Sequence, residues 1–151
     1  MNFRLIANTT SYVLWVEAGF LLLPLLVSVL YGEPWMPFFA TAVLCILIGF
    51  ILQLVPVKKA QMHSRDGFMA VALGWIALSL TGALPYVFSG ALTEYEDAVF
   101  ETVSGLTTTG STVFPEVEHL YRSVLIWRSL TQWMGGMGVL VLFLALMPKL
   151  G

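Results

Sequence analysis

The chain has 151 residues, 58% hydrophobic and 11% charged, with a mean hydropathy of +0.87. A soluble domain carries about 25% charged residues, so this composition excludes a surface covered by water and puts the chain in a membrane. The net charge of −2, without a basic cluster, gives nucleic acid nothing to bind, and the single cysteine, Cys45, excludes a disulfide within the chain and reads as a small packing residue.

A hydrocarbon core of ~30 Å needs ~20 mostly apolar residues as helix. In chain order the first such run is Tyr12 to Tyr31. It lacks an A-x-A cleavage pattern and more apolar runs follow it, so it reads as a retained helix and not a signal peptide. The turn Gly32-Glu33-Pro34 leads to a second run, Met36 to Val55: glycine ends one helix and proline begins the next. The polar linker from Val57 to Asp66 follows, with Ser64 or Asp66 placed to cap a third helix, Phe68 to Phe88. A fourth helix is expected from Ser123 to Met147. No soluble domain fits before or after these runs, which leaves cytosolic regulation to another chain. If the four alternate, Arg4, Lys58, Lys59, Arg65 and Lys149 share one side, and Glu33, Glu94, Glu96, Asp97, Glu116, Glu118 and Arg122 the other. The first side is then cytoplasmic, with both termini.

Between the third and fourth runs the pattern changes. Residues 98–106 are helical in pattern but half a membrane long, and Glu94, Glu96 and Asp97 ahead of them suit a helix N-terminus. They lead into Thr107-Thr108-Thr109-Gly110-Ser111-Thr112, where Thr and Gly in series disfavour helix. Such backbone is tolerated at membrane depth where protein buries it or it lines a watery cavity. A cation filter needs oxygens that replace hydration water, and backbone carbonyls of an extended segment supply them. Carbonyls of Thr108, Thr109 and Gly110, with Thr107 or Ser111, form the candidate set for K+. Glycine reaches backbone angles that L-residues avoid, and the half-helix aims its partly negative end at the cation. The plainer reading of the same stretch is a Ser/Thr-rich external connection.

The expected fold is therefore an all-α membrane protein. A two-helix hairpin over 1–57 precedes one helix–pore loop–helix repeat over 58–151, built from helix 68–88, pore helix 98–106, filter loop 107–112 and helix 123–147.

Three motifs carry a resemblance: Ser64-Arg65-Asp66-Gly67-Phe68, then Ser104-Gly105-Leu106-Thr107-Thr108-Thr109-Gly110-Ser111-Thr112, then Gln132-Trp133-Met134-Gly135-Gly136-Met137-Gly138. In this order and spacing they resemble the Trk/Ktr/HKT superfamily of potassium transporters, above all the membrane subunit of bacterial Trk uptake systems. The likeness covers nearly the whole chain. It implies potassium held by filter carbonyls, with the filter glycine at Gly110, in a bacterial inner-membrane protein that spans several times. It also implies a homodimer and a cytosolic nucleotide-binding regulatory subunit, and no cofactor beyond the transported K+. The family puts four pore repeats in one chain and this sequence contains one, so a fragment, a truncated product or a split subunit is expected, with companion repeats completing the ring.

Gly135, Gly136 and Gly138 permit either close helix packing or a bend; the resemblance adds a gating hinge to the second reading. Arg128 is expected to make a structural partnership, with Glu101 as the named partner, because a fixed cation on the permeation axis would oppose potassium. Glu17 reads as a helix–helix contact or an interfacial group. No nucleophile–base or metal-ligand set points to an enzyme; His63 and His119 fall on opposite sides of the membrane. The competing function is a non-conducting membrane protein that assembles with, or binds, partners.

Overall fold

The computed structural model describes residues 3–54 and 64–146, with side chains over 6–54 and 66–138. The linker lysines Lys58 and Lys59, His63, Met147 and Lys149 lie outside the described residues. Among the described residues six helices follow in order: α1 Phe3–Tyr31, α2 Met36–Gln53, α3 Ser64–Gly82, α4 Leu84–Phe88, α5 Tyr95–Leu106 and α6 Arg122–Leu146. The described residues contain no strand. Three helical runs among them are long and apolar enough to cross a membrane: Ile6–Tyr31, Met36–Gln53 and Asp66–Phe88, the last joining α3 and α4. The fourth expected run is the helix α6.

α1 begins nine residues before the expected Tyr12, at Phe3. Its 29 residues extend about 44 Å at 1.5 Å per residue, longer than the hydrocarbon core, so its polar first turns continue the helix beyond the apolar run. It ends as the turn predicts. Gly32 takes φ +68°, its amide donates to the Val29 carbonyl at 3.4 Å, and the Glu33 amide donates to the Ser28 carbonyl at 2.8 Å. This is a glycine C-cap that uses the last free carbonyls of the helix. α2 restarts at Met36 with Pro37, not Pro34, in its first turn.

The hairpin packs tightly because a glycine faces a tryptophan. A Cβ on Gly49 would lie 2.6 Å from Trp15 Cδ1 and 3.2 Å from the Ser11 carbonyl oxygen. Leu14, Leu21, Phe38 and Cys45 are buried around this crossing, whereas Leu26, Leu30, Ile51 and Leu54 are exposed. In a membrane chain, such an exposed apolar face is open to lipid or to further membrane helices.

The third run departs from the continuous helix that the apolar pattern predicts. It starts at Ser64, so Asp66 sits inside the first turn and not at the cap; the Ser64 side chain is outside the described set. It breaks at Ala83 between α3 and α4. Pro85 has no N–H and its ring crowds the carbonyl four residues back, beside Gly82. Neighbouring helices satisfy the exposed carbonyls: the Tyr95 hydroxyl donates to Leu80 O at 2.8 Å, and the buried Trp127 indole donates to Gly82 O at 2.9 Å. Side-chain partners of this kind are what make a helix break tolerable in a bilayer. Gly82 has no room for a side chain, since its Cβ would lie 2.9 Å from Thr102 Cγ2 and 3.1 Å from Glu17 Oε1. Glu17 is thus a buried helix–helix contact. Its Oε2 accepts from Thr81 Oγ1 at 2.5 Å and from the Cys45 thiol at 3.7 Å, joining α1, α2 and α3.

The hairpin also holds the far end of the chain. The Glu33 carboxylate accepts the amides of Arg122 at 2.8 Å and Ser123 at 2.9 Å and the Ser123 hydroxyl at 2.6 Å. It caps α6 from a loop nearly ninety residues away in sequence, satisfying amides that no helical carbonyl can reach. Arg122 lies 4.3 Å above the Tyr31 ring centre. Partial burial alone would raise the Glu33 pKa; the bonds from Ser123 and Arg122 and the Arg122 charge outweigh it and hold the carboxyl below its usual 4.5. Glu33→Ala is expected to cost about 1 kcal/mol of stability, the ordinary value of a lost cap. Because the folded pKa is depressed, the contribution is complete above the unfolded pKa and is lost as pH falls through the folded value. Thermal unfolding in detergent should therefore separate parent and variant at neutral pH, and the gap should narrow as pH falls below 4.5 and through the depressed pKa. A separation independent of pH would count against a charged cap.

Candidate functional site

α5 is a short helix set between longer ones. It starts at Tyr95, three residues before the expected Ala98, because Glu96 and Asp97 serve as first-turn residues within the helix and not as a preceding segment. Ala98, Glu101, Thr102 and Gly105 lie on one face and are buried, while Phe100 and Val103 are exposed on the other. The buried face meets α6 through absent side chains. A Cβ on Gly105 would lie 3.0 Å from Thr131 Cβ, and one on Gly135 would lie 2.6 Å from the carbonyl carbon of Leu106. Gly135 is therefore a packing position where the end of α5 rests on α6. Gly136 and Gly138 are less confined: their Cβ atoms would meet Thr108 Cγ2 at 3.9 Å and Trp75 Cζ2 at 3.4 Å. α6 runs without interruption past all of them.

The chain leaves α5 by folding back over its last turn. The amides of Thr107, Thr108 and Thr109 donate to the carbonyls of Val103, Gly105 and Ser104 at 2.8, 2.9 and 3.0 Å, and the Gly110 amide reaches Ser104 O at 3.5 Å. In a trans peptide the C=O points opposite to the N–H of the next residue. The amides of Thr108, Thr109 and Gly110 face α5, so the carbonyls of Thr107, Thr108 and Thr109 face away from it. Residues 107–112 are exposed. The turn requires two left-handed residues, Gly110 at φ +78° and Thr108 at φ +56°. A β-branched residue rarely adopts such an angle, and backbone strain of this kind persists where surroundings over-determine it. The Thr107 and Thr109 hydroxyls lie 2.7 Å apart.

Ser111 differs from its neighbours. Its carbonyl accepts the Ser104 hydroxyl at 2.5 Å and so points back towards α5. The next residues are held by Glu101. Its Oε2 accepts the Thr112 hydroxyl at 2.9 Å and the Val113 amide at 3.1 Å. Its Oε1 accepts Arg128 Nε at 2.6 Å, making the partnership expected for Arg128. Glu101 is 4% exposed. Arg128 also sits 5.5 Å from the ring centre of buried Phe114, which leans on Tyr86 at 6.1 Å. Ser104 belongs to the loop motif in the sequence, but its bond to Ser111 and the place of Phe114 beside Arg128 are visible only in the structure. The spacing of Glu101 and Ser104, one helical turn apart on α5, is the signal that two side chains can reach the same returning strand.

Helical hairpin, helix, half-length helix, non-helical loop and helix together define a membrane protein of the pore-loop class. A sequence model described as TrkH, cation transport protein, matches residues 35–151, and the chain belongs to that family of transporters. It is 39% identical over 155 residues to the Trk system potassium uptake protein TrkH of Salmonella typhimurium, across 100% of this chain and 32% of that protein. It is 36% identical to the Trk system potassium uptake protein TrkG of Escherichia coli, across 98% of this chain and 31% of that one. The crystal structure of the potassium transporter TrkH from Vibrio parahaemolyticus superposes with a TM-score of 0.91 at 35% identity, covering 98% of this chain and 32% of the other. The chain thus spans about a third of the length of the relatives it matches.

Proposed function

We propose that this chain supplies one repeat of a potassium uptake pore, with K+ held by the carbonyls of Thr108, Thr109 and Gly110 and flanked by those of Thr107 and Ser111. The observation that carries the reading is the peptide geometry of the loop: amides turned into α5 leave the carbonyls of Thr107, Thr108 and Thr109 free to face an ion. The partly negative C-terminal end of α5 lies beside them and favours a cation. Gly110 enters the set through the resemblance, as its filter glycine, and the Ser111 carbonyl at the edge of the set accepts the Ser104 hydroxyl.

One loop supplies only part of a ring able to replace an ion's hydration shell. The chain therefore works with further pore repeats, in one polypeptide or as companion subunits, embedded in lipid. The resemblance to Trk systems is what supports a homodimer and a cytosolic nucleotide-binding regulatory subunit. The basic residues support an inner-membrane orientation with both termini in the cytoplasm. The test is flux. Liposomes holding the chain alone as a proven monomer should take up no potassium. Vesicles holding it with its companion repeats should take up potassium in preference to sodium. Absence of uptake from the complete assembly would favour the non-conducting alternative, a membrane subunit that assembles with or binds partners. Selective flux from the monomer would remove the need for companions.

A further inference from the structure

The two arms of the filter loop are held in different ways. The arm leaving α5 is held by its own backbone, four amides turned onto the last helical carbonyls. The returning arm is held by side chains. Ser111 is tied by the Ser104 hydroxyl, Thr112 and Val113 are tied by Glu101, and the Phe114 amide donates to Thr112 Oγ1 at 3.1 Å. Glu101 thus gathers donors from two elements distant in sequence: the returning arm through one oxygen and α6, by way of Arg128, through the other.

We propose that Glu101, oriented by Arg128, is a positioning residue of the ion path, fixing the returning arm and with it the spacing of the loop carbonyls. This rests on the filter reading given above. The site calls for a side chain that accepts on both oxygens. All three groups that approach Glu101 donate, and a carboxylate is the side chain that accepts on both oxygens. A glutamine offers one acceptor and one donor, so it opposes either Arg128 or the arm. Buried ion pairs contribute little net stability compared with apolar replacements, because desolvation offsets their attraction. Stability alone therefore does not account for the pair. Its geometry does: Arg128 Nε on one oxygen leaves the other aimed at Thr112 and Val113.

The experiment uses the complete transporter in vesicles, with potassium and sodium uptake normalised to the amount of protein in the membrane. Glu101→Gln is expected to lower the potassium/sodium ratio by about tenfold, the value of one hydrogen bond to a charged group. Thr112→Val removes one neutral bond and is expected to lower it by about threefold. Thr112→Ser keeps the hydroxyl and should hold the parent ratio. A residue that only stabilised the fold would change the amount of protein and leave the ratio per transporter alone. Gly110→Ser is the control for the filter itself. If it lowers the ratio while Glu101→Gln and Thr112→Val leave it unchanged, the positioning role is overturned and the filter stands. If Gly110→Ser also leaves the ratio unchanged, the filter reading fails and the proposal falls with it. Should Glu101→Gln not reach the membrane, the contrast between Thr112→Val and Thr112→Ser decides: equal ratios overturn the proposal, and a lower ratio for valine alone supports it.

Discussion

Gly135→Ala is expected to lower both the stability of the transporter and its uptake, because the new methyl group meets backbone and not a flexible side chain. It would project onto the Leu106 carbonyl, 2.6 Å from its carbon and 2.8 Å from the Leu106 Cα. Relief requires α5 to move off α6, and the threonine–glycine loop, hydrogen-bonded to the last turn of α5, moves with it. Overpacking in a filled interior costs about 1–3 kcal/mol, and the loss in uptake should exceed what the loss of stability predicts. Gly136→Ala is the internal comparison. Its Cβ would make ordinary contact with Thr108 Cγ2 at 3.9 Å, so stability should change little. Thermal unfolding in detergent and potassium uptake in vesicles measure both effects. A hinge at this point gives a different pattern: Gly135→Ala would alter opening while leaving the unfolding temperature unchanged. That pattern would count against the packing role.

Gly110→Ser should impair potassium preference without impairing membrane insertion. Gly110 sits at φ +78° with no atom within 4 Å of where a Cβ would stand. No atom of this chain would crowd the new side chain, so within the chain the cost is conformational. A left-handed angle costs an L-residue roughly 1–2 kcal/mol, which converts to a factor of about 5–30 in the population of the competent loop. Ser111→Ala should have less effect, since the proposed ligand there is the backbone carbonyl, which alanine keeps and the Ser104 hydroxyl holds. Potassium-dependent growth of an uptake-deficient strain, with membrane levels checked by blot, reads both variants. The plain external loop gives the opposite expectation, in which both substitutions are silent. Unchanged growth and unchanged potassium/sodium preference for Gly110→Ser would take this loop out of the filter.

The sequence by itself determined the membrane class, the hairpin, the half-length helix and the threonine–glycine loop. Each of these is written locally: a run of apolar residues long enough for a bilayer, a glycine where the helix must stop, a string of residues that disfavour helix. The partnership of Arg128 with Glu101 was also within reach, because a charge inside a span needs a counter-charge and few were available. Boundaries were less legible. α1 begins at Phe3 because polar turns extend a helix past its apolar run. The third run breaks at Ala83 because Pro85 cannot continue it, and an apolar stretch hides that break from hydropathy. What only the tertiary structure decided is which distant group answers each unpaired one. Glu33 reads as a turn residue and serves as the cap of α6. Glu101 reads as one polar residue on a short helix, and it joins α6 to the returning arm of the loop. Gly135 reads as packing or as a hinge, and its contact with the Leu106 carbonyl is visible only in the tertiary structure. These roles depend on distances between elements, which local periodicity does not encode and helix packing alone fixes.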